Sequence, residues 1–220
     1  MPLQIYEHGR RDQPRVALTF DDGPNPPRTD QILDILASRN VRATFFIIGK
    51  WAERWPQAVE RMVRAGHVIG NHSYLHDPAL GDFDRAEVVL GSMIAKPTGF
   101  LRAHYFHYHL CEQSPVALLP STKIVDSDVN PADWSLSDPD EIVARCLQST
   151  HLQGGSIIDL HDGFETENDA MRLARPLPMI AGLPRLIDGL IARGYKLVGL
   201  DEMELVDPTP WSPGFRKSTL

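Results

Sequence analysis

The stretch VALTFDDGPNPP, residues Val16 to Pro27, runs an apolar strand pattern directly into two adjacent acidic residues and then into a turn. Its first part, Val16–Phe20, is typical of a buried β-strand. Asp21 and Asp22 follow, and the glycine and prolines after them indicate a turn, where aspartate often accepts hydrogen bonds from backbone N–H groups. The two carboxylates are therefore explained either by turn chemistry or by a functional site.

Short apolar runs of the same kind alternate with longer amphipathic segments along the chain. They predict seven strands, at Val16–Phe20, Ala43–Gly49, Val68–His72, Phe100–Tyr105, Lys123–Ser127, Ser156–His161 and Lys196–Leu200. Helical periodicity is clearest over Trp51–Ala65 and is also present over 28–40 and 178–194. Strands that alternate with helices favour right-handed βαβ units and a parallel sheet. We therefore predict an α/β fold, with the sheet rolled into a barrel in preference to an open sheet.

The length of 220 residues fits one α/β barrel domain. Periodicity stops at Glu204, and residues 204–220 form a proline-punctuated segment. We expect this segment to be a tail that lies along the surface or has no fixed structure. Residues 1–203 are then the folded domain.

Composition excludes several classes of partner. The chain has 22 Lys plus Arg against 29 Asp plus Glu, a net charge of −7, which argues against nucleic acid or an anionic membrane surface. No apolar run is long enough for a membrane span, and the N-terminal residues lack the pattern of an export signal. We expect a cytoplasmic protein or an exported domain without its signal. Cys111 and Cys146, far apart, indicate neither a disulfide framework nor a thiolate metal site.

Polar residues stand out at the ends of the predicted strands. In parallel α/β proteins the ligand site lies at the carboxyl ends of the strands, so these residues should share one rim. They are Asp21, Asp22, His72, His76, Arg102, Tyr105, Asp133, Trp134, His161 and Asp162.

The segment HSYLH places His72 and His76 four residues apart, a spacing that puts two imidazoles on one face of a helical turn, within reach of one metal ion. A pair of surface histidines gives the same pattern, so the spacing alone is weak evidence. Adding the carboxylate of Asp22 gives a His-His-Asp set that suits zinc or another borderline divalent ion with an open water position. Asp21 is then free to act as a base for water.

Other rim residues have an ordinary alternative beside the functional one. His161 ends an apolar strand and can carry a proton near neutral pH, but a histidine there is also often structural. Asp133 is equally explained as a helix or turn cap, Arg102 as a surface charge and Trp134 as a core residue.

Five segments then occur in a familiar order: TFDDGP at 19–24, HSYLH at 72–76, LRAHY at 101–105, DW at 133–134 and LHD at 160–162. They resemble the motifs of the polysaccharide deacetylases, also called the NodB-homology domain or carbohydrate esterase family 4, over Val16 to about Met203. The resemblance implies a distorted (β/α) barrel, the catalytic domain being 1–203. It further implies hydrolysis of N-acetyl groups from a chitin-like oligosaccharide, peptidoglycan or related glycan. One divalent metal ion is implied, zinc first, with cobalt, nickel or manganese as substitutes.

The resemblance also implies a role for each residue that matches a motif. It implies that Asp22, His72 and His76 are the metal ligands. Asp21 is implied as the base, held by Arg102, and His161 as the general acid, oriented by Asp133. The backbone N–H of Tyr105 is implied as oxyanion donor, and the implied substrate-binding residues are Tyr105, Trp134 and Leu160, the last two around the acetyl methyl group.

The third motif departs from the family pattern, which usually reads Arg-Pro-Pro-Tyr or Phe followed by Gly. Here residues 102–106 read Arg-Ala-His-Tyr-Phe, which is expected to free the loop and to add bulk at the substrate cleft. The run HYFHYH adds His104, His107 and His109, for which a binding-loop or core role is favoured over a second metal site. Asp159 is an unusual residue for a buried strand position.

Two other functions compete with deacetylation. One is a catalytically weak glycan-binding relative, disabled by the altered third motif, although the retained acids and histidines argue against it. The other is an amidohydrolase of the same fold that acts on a small nitrogenous compound. Metal-independent relatives of that kind are expected to lack the His-His-Asp set.

Overall fold

Nine strands and six α-helices make up the part of the chain, residues 2–164 and 177–212, that the computed structural model describes. The strands are β1 (Gln4–Tyr6), β2 (Arg15–Gly23), β3 (Thr44–Ile47), β4 (Val68–Asn71), β5 (Phe100–Leu101), β6 (Lys123–Val125), β7 (Ile157–His161), β8 (Lys196–Val198) and β9 (Thr209–Pro210). The helices are α1 (Arg28–Ser38), α2 (Gly49–Arg54), α3 (Pro56–Arg64), α4 (Phe83–Ile94), α5 (Pro139–Leu147) and α6 (Pro178–Ala192). None of these helices has the length and apolar character that crossing a bilayer requires.

The strands form one sheet in the order β7-β2-β3-β4-β5-β6-β1-β9, with β8 also paired to β2. All of its ladders are parallel except that between β1 and β9. Beyond β6 the chain meets the opposite side of the sheet, since Val129 pairs with Ile158 and its carbonyl accepts a 2.9 Å hydrogen bond from the Asp159 N–H. The sheet therefore curls until its two sides meet, and the predicted distorted (β/α) barrel is confirmed.

Alternation along the strands divides the barrel into two environments. Side chains of successive strand residues point to opposite faces. Leu18 and Phe20 of β2 join the core between the sheet and the helices, together with Leu36 of α1 and Leu186 of α6. The intervening Thr19 instead receives a hydrogen bond from a side chain inside the barrel. The inner face of β2 thus carries the apolar Ala17 and the polar Thr19, and the polar residues lie towards the carboxyl end of the strand.

Leu160 requires a correction, because it belongs to this helix-side core and is fully buried. Its neighbours on β7, Asp159 and His161, line the cavity described below, and Leu160 does not. The physical reason is the two-residue period of the strand, which points Leu160 away from the two residues beside it.

The seven predicted strands all overlap observed ones, but other elements differ. The predicted helix Trp51–Ala65 is two helices, α2 and α3, because the proline that begins α3 lacks an N–H and restricts the residue before it, Trp55, to non-helical angles (φ −129°, ψ 61°). Helices α4 and α5 were not predicted. In the predicted tail, β9 pairs with β1, while residues 213–220 lie outside the described part of the chain.

Truncation of Leu160 tests its position. Leu160→Ala should lower the free energy of unfolding by about 2–5 kcal/mol, because it leaves a cavity in the helix-side core. Val88→Ala, at a site 75% exposed, is the control and should change it by less than about 0.5 kcal/mol. Urea unfolding measures both, and a loss below about 1 kcal/mol for Leu160→Ala would contradict the placement.

Candidate active site

A cavity of about 320 Å³ opens at the carboxyl ends of the strands. Most of the residues predicted for the site line it, namely Asp21, Asp22, His72, His76, Arg102, Tyr105, Trp134 and His161. Asp133 lies behind this wall, and Asp162 is fully buried outside it, where it accepts a 2.5 Å hydrogen bond from the Thr29 hydroxyl. The strand ends therefore converge as the sequence predicts.

Asp22, His72 and His76 form a group that fits a divalent metal ion. The Nε2 atoms of His76 and His72 lie 3.0 Å and 3.4 Å from Asp22 Oδ1, and all three side chains are buried. Among the residues that the structure describes, no side chain or backbone group donates a hydrogen bond to Asp22 Oδ1, and a buried oxygen left in this state is costly unless a cation satisfies it. One candidate ligand atom from each residue lies within 4.8 Å of the others. The donor set matches the preferences of zinc and similar ions.

A hydrogen bond to the backbone fixes the orientation of the His72 ring. Its Nδ1 lies 2.9 Å from the backbone carbonyl oxygen of Arg102. A carbonyl oxygen only accepts, so Nδ1 carries the proton and Nε2 keeps its lone pair for a metal ion. Hydrogen bonds of this kind commonly orient metal-binding histidines.

Residues 72–76 form a loop, and not the helical turn that the spacing predicted. Asn71 Oδ1 accepts from the Ser73 N–H at 3.0 Å, and Ser73 Oγ accepts from the His76 N–H at 3.1 Å. This turn brings the rings of His72 and His76 to 5.0 Å between centroids. Ser73 and His76, like Asp22, have positive φ (67°, 60° and 71°), a strained conformation that residues other than glycine adopt mostly where function requires it.

Arg102 is a buried anchor for Asp21, not a surface charge. Only 1% of the residue is exposed, and Nη1 donates to Asp21 Oδ1 at 2.9 Å, to Thr19 Oγ1 at 2.8 Å and to Asp159 Oδ1 at 3.2 Å. The guanidinium also lies over the ring of Phe46, 4.2 Å from its centroid. Burial lowers the pKa of Arg102, but the carboxylates of Asp21 and Asp159 outweigh it and raise that pKa overall. Asp21 is thus held beside a permanent positive charge.

His161 and Asp133 form a second pair, in which Asp133 is buried and His161 is half-buried. His161 Nδ1 donates to Asp133 Oδ1 at 2.8 Å, and the backbone N–H of His161 donates to Oδ2 at 3.0 Å. Burial lowers the pKa of His161, but Asp133 outweighs it through charge and hydrogen bonding, and the pKa lies well above its usual value. Trp134 packs edge-on against the His161 ring at 4.9 Å. Because Nδ1 is engaged, Nε2 is the atom available to exchange a proton.

The loop of the third motif is pinned by side chains, contrary to the expectation that loss of its prolines frees it. His104 is fully buried and its Nε2 donates to the Asp77 carbonyl at 2.7 Å, while the Tyr108 hydroxyl donates to the buried carboxylate of Asp126. Burial lowers the pKa of His104 to about 3, which keeps the ring neutral. Its ring packs on that of His76, 5.0 Å between centroids.

Tyr105 and Phe106 of the same run line the cavity. Tyr105 is 43% exposed and its ring lies 4.7 Å from that of His76, on the cavity wall. Within residues 2–164 and 177–212, no group of three potential ligands includes His104, His107 or His109. The loop or core role favoured from the sequence stays a prediction for His107 and His109.

Sequence reasoning missed the position of Asp159. It is 2% exposed, lines the cavity and contacts Arg102, although the sequence only marked it as unusual. The signal was present, because a residue two positions before His161 on a strand shares its face.

The site combines residues that can bind a cation with the carboxylate of Asp21 and with His161, which can give up a proton. This combination is typical of metal-dependent hydrolases. The family model "Polysaccharide deacetylase" matches residues 8–101. A chitooligosaccharide deacetylase of Sinorhizobium fredii (strain NGR234) is 37% identical over 198 residues, which cover 86% of this chain and 91% of that protein. The chain belongs to the polysaccharide deacetylase family.

Two further similar proteins are also named as deacetylases. A peptidoglycan-N-acetylglucosamine deacetylase of Bacillus cereus is 35% identical over 161 residues, 70% of this chain and 58% of that protein. The solved structure of the peptidoglycan N-acetylglucosamine deacetylase Bc1960 superposes with a TM-score of 0.78 at 29% identity, covering 91% of this chain and 92% of that one.

Replacement of one ligand tests the metal site. The purified protein should hold about one divalent ion per chain, and His76→Ala should lose most of it, because two of three protein ligands bind far more weakly. His151→Ala, at an exposed histidine, should keep the metal content of the wild type. Elemental analysis measures all three, and equal metal in His76→Ala and the wild type would contradict the assignment.

Proposed function

We propose that this chain is a metal-dependent N-deacetylase that removes acetyl groups from the amino sugars of a chitin-like oligosaccharide or of peptidoglycan. This proposal rests on the different partners of the two adjacent acids. Asp22 lies beside the rings of His72 and His76, whereas Asp21 is paired with Arg102. The relatives named as chitooligosaccharide and peptidoglycan deacetylases support the same substrate class. The catalytic residues proposed below all fall within 1–203, which we propose as the catalytic domain.

Asp22, His72 and His76 would hold the metal ion, for which zinc suits the donor set and cobalt, nickel or manganese are substitutes. When bound, the ion polarises the amide carbonyl and lowers the pKa of water. Burial of these side chains strengthens the charge interactions between them, because it lowers the local dielectric constant.

Asp21 acts as the base that takes a proton from the attacking water. Its carboxylate is buried, and the hydrogen bond from Arg102 fixes one oxygen and leaves the other, Oδ2, directed towards the metal ligand His72 at 3.7 Å. A base must lie within reach of the proton that it removes, and this position satisfies that requirement. The backbone N–H of Tyr105, on the cavity wall, is the proposed donor to the oxyanion.

His161 acts as the general acid. An amine leaves poorly unless it is protonated, and His161 Nε2 supplies that proton while Asp133 holds the ring by Nδ1. Proton transfer of this kind typically contributes about 10²–10⁴-fold to the rate. Trp134 and Tyr105 border the cavity where the substrate would lie.

Acetate release tests the function directly. The metal-loaded protein is incubated with N-acetyl chitooligosaccharides, peptidoglycan fragments and acetylxylan, and acetate and free amine are measured. Equal amounts of acetate and amine from an amino-sugar substrate support deacetylation. Binding of these glycans without acetate release would instead support the glycan-binding alternative, and neither binding nor release would favour a small amide substrate.

Substitution of the base separates its role from that of the metal ligands. Asp21→Asn should reduce kcat/KM by at least about 10²-fold with metal content near that of the wild type, because it removes a base but little volume. Asp12→Asn, at an exposed carboxylate, serves as control and should leave both unchanged. Survival of most activity in Asp21→Asn would mean that Asp21 serves only the turn.

The pH profile tests the general acid. The acid works in its protonated form, so activity falls as pH rises through the pKa of His161, which Asp133 raises. Asp133→Asn removes the negative charge and lowers that pKa, so the alkaline limb of kcat/KM should move to lower pH. The exposed control Glu141→Gln should not move it. If the alkaline limb of kcat/KM does not move in Asp133→Asn and the Tm of this variant falls strongly, the pair of His161 and Asp133 is only structural.

A further inference from the structure

A buried carboxyl group lines the cavity and takes no part in the chemistry derived above. It belongs to Asp159, which is 2% exposed and lies on β7 two residues before His161, on the same face of the strand. Charged side chains are rarely buried without a partner or a function.

The contacts of Asp159 leave it with hydrogen-bonding capacity. Oδ1 accepts from Arg102 Nη1 at 3.2 Å, and Oδ2 accepts from Asn130 Nδ2 at 3.0 Å. The Asn130 amide is oriented by its other end, since its Oδ1 accepts from the Ala132 N–H at 2.8 Å. Each carboxylate oxygen has about two acceptor positions, so with respect to the described residues one on each remains for a further donor.

Asp159 also lies close to the proposed reacting groups. One of its oxygens, one Asp21 oxygen and one His161 ring nitrogen are all within 4.8 Å of each other. If water approaches from the side of Asp21 and the amine leaves towards His161, the sugar on that amine would occupy the open mouth beside the exposed Tyr105. The acyl substituent, one bond from the scissile carbon, would then point to the inner wall, which Asp159 lines.

A methyl group at this wall cannot use the acceptor positions of Asp159 and would shield them from water, which is unfavourable. A hydroxyl on the same carbon can form a hydrogen bond there. We propose that Asp159 determines acyl-group specificity and that the preferred substrates are 2-hydroxyacyl amides of amino sugars, such as N-glycolyl sugars, over plain N-acetyl ones. This rests on the N-deacylase function proposed above.

The reaction itself needs no additional reagent. The water oxygen bonds to the acyl carbon, the C–N bond breaks, and the amine nitrogen takes the proton that His161 supplies, giving glycolate and the free amine. Burial, reinforced by the negative charge of Asp21 and opposed by Arg102, raises the pKa of Asp159. A hydroxyl can bond to the carboxyl group in either protonation state, whereas a methyl can bond to neither.

A second metal ion and a purely structural role are the alternatives for Asp159. A metal ion shared by Asp21, Asp159 and His161 would have to displace Arg102, whose Nη1 already lies 2.9 Å and 3.2 Å from the two carboxylates. A purely structural role, in which Asp159 only anchors Arg102, predicts equal losses on all acyl groups when Asp159 is changed.

The test compares kcat/KM of the metal-loaded protein on N-acetyl and N-glycolyl chitooligosaccharides of equal length, followed by acetate and glycolate release. The wild type should prefer the glycolyl substrate by at least about tenfold, as expected for a site that binds a substrate hydroxyl. Asp159→Leu should reverse the preference, while Asp159→Asn should retain it, because an amide still hydrogen-bonds a hydroxyl. Asp126→Asn is the control, a buried carboxyl outside the cavity, and should leave the ratio unchanged.

A wild-type preference for the acetyl substrate would overturn the proposal, as would an unchanged ratio in Asp159→Leu. If Asp159→Leu does not fold, the proposal is decided by the ratio of kcat/KM on the glycolyl substrate to that on the acetyl substrate in the other proteins. The wild type and Asp159→Asn should both prefer the glycolyl substrate, and Asp126→Asn should have the same ratio as the wild type. Release of neither acid by the wild type would refute the proposed function itself, whereas acetate release without a glycolyl preference refutes only the role of Asp159.

Discussion

Two adjacent carboxylates are buried at the end of β2, and the rest of the site compensates their charge. Asp21 and Asp22 are only 3% and 7% exposed, and burying like charges together is strongly unfavourable without positive partners. Arg102 supplies one such partner to Asp21 at 2.9 Å. Asp22 has instead the two imidazoles and an unsatisfied oxygen, which is the arrangement that a divalent cation completes. The division of labour between the acids follows from these different partners.

The barrel makes this compensation possible because each partner comes from a different strand end. Arg102 follows β5, the histidine loop follows β4, and His161 ends β7, so parallel pairing brings them to one rim. Positive φ at Asp22 and His76 turns their side chains into the cavity, a strain of roughly 1–3 kcal/mol each that the surrounding hydrogen bonds must offset. The well-packed sheet and helices thus support a site that is locally unfavourable.

Local patterns in the sequence predicted what depends on local chemistry. The seven strands, the parallel topology and the convergence of Asp22, His72 and His76 follow from apolar runs and from their polar ends. The direction of a side chain needs the strand register, which is why Leu160 was expected at the pocket that Asp159 lines. Burial of Arg102 and pinning of the third-motif loop through His104 depend on contacts between distant segments, which no local pattern contains.

The central claim, that one cation completes the charge balance of a deacetylase site, is tested most directly by metal back-titration. The protein is stripped with chelator, zinc is added in fractions of an equivalent, and acetate release from an N-acetyl chitooligosaccharide is measured at each step. We expect negligible release without metal and a linear rise that ends at one equivalent per chain. Full activity in the stripped protein, or a rise that ends only at two equivalents, would contradict the claim.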